Sequence, residues 1–232
     1  MINSFKAKVK LAGYHFSRLI TNSRTRSHII KKFTSKLGLV YFGSVDQHDD
    51  DNRLVRGFTV SQSHEDDHYC VGTVGDYNVM LVDRSDAVWD SNGGMSVQNW
   101  TIMAIDLHTK QDLPHFFIGA QNHATIPYET FFRTFPTIKE VHLGTFENYS
   151  IDFTSRFKIY ARPNMAIKTE RLMPNSAARV MAAHFWPLSA EQNEHVLYIY
   201  SSSQRVSTGL LETMLENGLW LAAHLDRQAE LV

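Results

Sequence analysis

Cysteine is almost missing from this chain of 232 residues: Cys70 stands alone, so no internal disulfide framework can form. Long apolar runs are missing too. None approaches the roughly 20 residues that a membrane-spanning helix needs, and no N-terminal apolar stretch leads to a small-residue cleavage site. The expected compartment is therefore reducing cytoplasm, with attachment at an inner membrane face left open. Gly (12) and Pro (6) are too few for a collagenous or low-complexity chain. A 43% hydrophobic composition supplies a core, and at this length roughly 70% of the unfolded surface can be buried without help from metal or disulfide.

Acidic side chains are absent from residues 1–45, where nine of the 23 Lys and Arg residues lie. The rest of the chain carries all 24 Asp and Glu, so a formal net charge of −1 hides a basic arm on an acidic body. The arm has an apolar stripe: Ile2, Phe5, Val9, Ala12, Phe16 and Leu19 recur at helical spacing, with Lys6, Lys8, Lys10 and Arg18 largely off it. Asn22 to Ser27 reads as a turn. Ile29, Ile30, Phe33 and Leu37 then restart the period, Lys31, Lys32 and Lys36 accompany them, and Gly38 stands at the C-cap position.

From Leu39 the period changes to two. Gly57–Gln62, His68–Val74 and Tyr77–Arg84 read as consecutive antiparallel strands, with Gly75-Asp76 as a two-residue turn of type II′. That turn sets a register: Val74 faces Tyr77, Gly72 faces Val79, Cys70 faces Leu81 and His68 faces Asp83. Val97–Leu107 and Pro114–Gly119 add strands, and Tyr128–Thr134 a short helix. The C-terminal third reads as strand (Arg156–Arg162), helix (Pro174–Phe185), strand (His195–Ser201) and a last helix capped by Ser207. The expected fold is α+β: a mainly antiparallel sheet, an N-terminal helical pair in residues 1–38, and a single domain over 39–232 closed by the strand-helix-strand-helix unit.

Phe153-Thr-Ser-Arg-Phe157-Lys-Ile-Tyr160, Leu172-Met173-Pro174 and Leu197-Tyr198-Ile199 resemble a family of bacterial proteins of unknown function. Its pattern is Phe-x-x-x-Phe-x-Val-Tyr, Leu-Thr-Pro and Leu-Tyr-Ile. The likeness spans about 50 residues of mostly packing positions. It implies a fold; it transfers no catalytic residue and no cofactor. Members of that family often carry membrane helices near the N-terminus.

His64-Glu65-Asp66-Asp67-His68 spells H-E-x-x-H, which on a helix places two imidazoles on one zinc ion with Glu65 as the base. The borders have strand character, so an acidic connection between strands is expected, with a metal-dependent hydrolase using His64, Glu65 and His68 as the alternative. Asp49 to Asp51 with Glu65 to Asp67 could hold a hard cation only if the two clusters converged. Cys70 reads as a buried structural thiol, and His108, His115 and His123 lack ligand spacing. Phosphate-loop, nucleophile-elbow, dinucleotide and C-x-x-C motifs are missing.

The expected function is therefore a non-catalytic interaction protein without a cofactor. Its candidate binding residues are Lys6, Lys10, Arg18, Lys31, Lys32 and Lys36. The partner would be a protein or an anionic membrane surface, ahead of nucleic acid. A rival reading packs the arm's apolar stripe on its own body.

Overall fold

The computed structural model describes residues 23–44, 64–89, 94–121, 128, 132, 136–202 and 205–231. It is an α+β fold built on one nine-stranded sheet. In chain order the elements are α1 (Ser23–Leu37), β1 (Val40–Gly43), β2 (His64–Val74), β3 (Tyr77–Trp89), β4 (Met95–Asp106), β5 (Phe116–Ala120), β6 (Lys139–Val141), α2 (Ile151–Arg156) and β7 (Phe157–Ala161). A 3-10 turn at Pro163–Met165 leads to α3 (Ala166–Leu172), α4 (Asn175–His184), β8 (Ser189–Asn193), β9 (Val196–Ser201) and α5 (Thr208–Ala229). Spatially the strands run β1-β2-β3-β4-β9-β8-β5-β7-β6, and every neighbouring pair is antiparallel.

Period-two alternation sends side chains to two faces. On one, Cys70, Leu81, Met103, Ile105, Ile118, Ile159 and Ile199 meet residues from all five described α-helices in a single buried cluster. The principal cover is α5, whose Leu211, Met214, Leu215, Gly218, Leu221, Ala222 and Leu225 are buried at steps of three and four. Ser207 caps it as expected, its hydroxyl accepting from the Leu210 N–H at 3.1 Å. The other face is aromatic. Trp100, Phe117, Tyr160, Tyr198 and Tyr200 cluster there with Val82, Ile102, Tyr128 and Phe132.

Several expectations meet the structure directly. Gly75 has φ +59, the value a type II′ turn requires of its first central residue, and the pairs Val74–Tyr77, Gly72–Val79 and Cys70–Leu81 form. Gly38 (φ +73) ends α1 in a Schellman arrangement, with Leu39 N–H on Thr34 O (2.9 Å) and Gly38 N–H on Ser35 O (3.4 Å).

Others are corrected. The stretch read as a turn at Asn22 to Ser27 is helical from Ser23 onward, because Arg26 finds a buried partner and Ile30 a core position. His68 does not face Asp83. A bulge between Asp67 and Cys70 puts Asp67 opposite Asp83, and His68 takes a left-handed φ of +57. His64 to His68 is no connection either; it is the start of β2. In the C-terminal third β8 adds a strand, so β8 and β9 form a hairpin between α4 and α5 in place of a lone strand. The first arm helix, Gly57–Gln62 and all of Tyr128–Thr134 except Tyr128 and Phe132 lie outside the described residues.

Candidate functional site

The basic segment is built from its inner face outward. Ile30 and Phe33 are fully buried against the sheet, and Arg26 reaches β3 and β4. Its Nε bonds one oxygen of Asp83, its second terminal nitrogen donates to the other oxygen at 2.7 Å and to Thr101 Oγ1 at 2.9 Å, and Thr101 Oγ1 lies 2.9 Å from Asp83 Oδ1. A buried carboxylate needs such a set of donors to remain charged. With α1 fixed this way, Lys31, Lys32 and Lys36 stand on its exposed side.

These three lysines differ in what they touch. The ammonium of Lys36 lies 2.8 Å from Glu212 on α5; the hydrogen bond and charge of that carboxylate raise its pKa. Lys31 Nζ lies over the Tyr41 ring, 4.9 Å from its centroid. Among the described residues Lys32 has no ion-pair partner. Beside them β1 is terminal in the sheet, and it exposes Val40 (55%) and Phe42 (57%) on the face opposite Tyr41. Lys6, Lys10 and Arg18 lie outside the described residues.

The H-E-x-x-H stretch has strand geometry, so the helical face that would bring His64 and His68 onto one ion is not formed. Its members have other engagements. Asp66 is a buried bidentate partner of Arg84, with both bonds at 2.7 Å, and Asp67 accepts from Ser44 Oγ at 3.1 Å. His68 Nδ1 meets the Tyr41 hydroxyl at 2.7 Å. Among the described residues no three His, Cys, Asp or Glu side chains are grouped as ligands; Asp49 to Asp51 lie outside them. Cys70 is fully buried, and burial together with the charge of Asp83 pushes its thiol up to about 12. That fits the structural thiol expected from the sequence.

The histidines scatter as well. His108 stacks on Tyr77 with ring centroids 4.2 Å apart and contacts Asp76 O, His115 lies elsewhere, and His123 falls outside the described residues. His115 belongs to a polar group that the sequence reading missed: its Nε2 is 2.6 Å from Glu191 Oε1, and Glu191 Oε2 accepts from the Tyr200 hydroxyl at 2.5 Å. Glu191 is fully buried. Burial, then the Glu191 charge, holds the Tyr200 hydroxyl well above its ordinary pKa, so it serves as a donor. Two tyrosines alternating in Tyr198-Ile-Tyr200 were the available signal. Nothing in Ser-Ala-Glu-Gln-Asn marked β8 as an interior strand.

The chain matches no family model and no curated protein. A search of solved structures finds the mycobacterial trehalose monomycolate transport factor A, TtfA, at TM-score 0.55 and 11% identity, covering 87% of this chain and 93% of that one. This likeness shows a shared fold. Among the described residues no helix is long and apolar enough to cross a membrane.

Proposed function

We propose that the protein is a non-catalytic docking module that binds an anionic membrane surface edge-on, through the outer side of α1 and the neighbouring strand β1. The observation that carries this reading is the orientation of α1. Arg26, Ile30 and Phe33 hold its inner side to the sheet, which leaves Lys31 and Lys32 exposed, Lys31 over Tyr41 on one face of the terminal strand β1, whose Val40 and Phe42 are exposed on the other face. Each Lys near an anionic leaflet is worth about 1 kcal/mol. Burying Phe42 and Val40 in the interface adds about 1.5 to 3 kcal/mol each at most. The acid-free sequence of residues 1–22 extends the same charge. A structural neighbour is described as a transport factor, and a supporting role in transport is the setting we propose for such docking.

Co-sedimentation with vesicles tests the reading. The protein is expected to pellet with phosphatidylcholine vesicles containing phosphatidylserine and to stay in solution with phosphatidylcholine alone. Lys31→Glu/Lys32→Glu should weaken pelleting by about thirtyfold at low salt, the equivalent of two lost contacts. Equal binding to both vesicle types, or no effect of the double substitution, would overturn it. Retention of an acidic protein in place of vesicles would move the same surface to a protein partner.

A further inference from the structure

Far from α1 in the sequence, the loop before α2, the end of α3, the start of α4 and the end of α5 enclose an open cavity of about 320 Å³. That is at the small end of the range for ligand sites. Its apolar wall is formed by Phe146, Tyr149 and Leu231, of which Phe146 (55%) and Leu231 (77%) are exposed. Tyr149 is held in place: its hydroxyl bonds Met173 O, and its ring packs 5.6 Å from Phe153.

Two carboxylates and one guanidinium lie in the wall, and their environments decide what charge a ligand would meet. Burial opposes ionisation of Glu170, but N–H bonds from Phe146, Thr145 and their neighbours outweigh it and lower the pKa. Glu170 is 4% exposed, so that charge is already satisfied and out of reach. Among the described residues Arg171 has no ion-pair partner, and it lies over the Phe146 ring, 5.6 Å from its centroid. Glu147 uses Oε2 to accept from the Asn175 N–H at 3.2 Å, leaving Oε1. A ligand therefore meets one cation and one carboxylate, which favours neither sign.

The remaining polar capacity is mixed. Asn175 spends its oxygen on the Ser150 N–H (3.2 Å) and keeps its NH₂, while the Gln228 side chain offers a donor and an acceptor. Hydroxyl groups donate and accept at once, so a neutral polyol matches this set better than an ammonium or a carboxylate.

We propose that this cavity binds the sugar ring of a neutral glycoside, its C–H face against Phe146 and Tyr149 and its hydroxyls on Arg171, Glu147, Asn175 and Gln228. The ring could come from a free sugar or from a glycolipid headgroup; exposed Leu231 lines the cavity where a lipid tail would leave.

Saturation-transfer NMR on the full chain separates the outcomes, using methyl β-D-glucoside, octyl β-D-glucoside below its micelle concentration, octanoate and octyltrimethylammonium. Transfer to the glucosides and not to the charged octyl compounds is expected. Gln228→Ala, with unchanged circular dichroism, should weaken glucoside binding about tenfold, the loss of one to two hydrogen bonds. Leu231→Ser should weaken only the octyl form if the source is a glycolipid, and neither form if it is a free sugar. No transfer to either glucoside, equal transfer to octanoate, or wild-type binding by Gln228→Ala would overturn the site. Lys31→Glu/Lys32→Glu should bind glucoside as the wild type does, so failure here and failure of the docking reading are distinguishable.

Discussion

Arg26 on α1 and Asp83 on β3 form a buried ion pair that fastens the basic helix to the sheet, with Thr101 bonding to both. Asp83 is inaccessible and Arg26 nearly so; their side chains are 0% and 9% exposed. Asp83→Ala would strand the guanidinium and should destabilise by about 3 kcal/mol in urea unfolding. Arg26→Met/Asp83→Leu should cost clearly less than the two single changes added. Hydrogen exchange should show α1 losing protection before the sheet in either single variant.

Arg84 and Asp66 make the corresponding pair on the aromatic face, both fully desolvated. Asp66→Ala should cost about 3 to 5 kcal/mol, whereas Arg84→Met/Asp66→Leu should return close to wild-type stability. Because Asp66 sits inside the H-E-x-x-H stretch, this also separates its structural role from metal binding. Chelator should leave the unfolding midpoint of the unsubstituted protein unchanged.

Gly218 lies where α5 crosses β4 and β9. A Cβ there would stand 2.6 Å from Ile105 Cδ1 and 3.2 Å from Ile199 Cγ1. Alanine gains up to about 1 kcal/mol in helix propensity, but overpacking a fixed crossing costs about 1 to 3 kcal/mol. Gly218→Ala should therefore lower the thermal midpoint, even though alanine is the better helix former.

Acid should weaken the fold in two separate steps. Burial lowers the His224 pKa from 6.5 despite its hydrogen bond to Leu172 O, so the native state holds it neutral and donating. That contribution is complete above pH 6.5 and declines as pH falls toward the folded value. Glu170 is also lowered, from 4.5, because its backbone N–H donors outweigh burial; its contribution is complete above pH 4.5 and is lost on further acidification. Urea midpoints measured from pH 8 to pH 3 should show the upper step missing in His224→Gln and the lower step missing in Glu170→Gln.

Local chemistry explains what could be read from the residues alone. Gly38, Gly75 and Ser207 each impose one backbone geometry or one cap, and each acts as expected. The register failed at His68 because a bulge leaves no compositional mark: Asp67 and not His68 stands opposite Asp83, whose carboxylate is held by the distant Arg26. β8 was illegible for a related reason. Glu191 and Gln192 look solvated in sequence, yet both are fully buried, Glu191 by virtue of His115 and Tyr200, residues 76 and 9 positions away. Of the candidate binding residues, Lys31, Lys32 and Lys36 do face outward, and only the fold reveals that Lys36 is already engaged with Glu212.

Edge-on docking of α1 and β1 is tested most directly by NMR relaxation in the presence of anionic vesicles carrying a headgroup spin label. The account predicts line broadening concentrated at Lys31, Lys32, Val40 and Phe42, with Phe146 and Gln228 untouched. Broadening centred on any other surface, or none at a lipid concentration that pellets the protein, would contradict it.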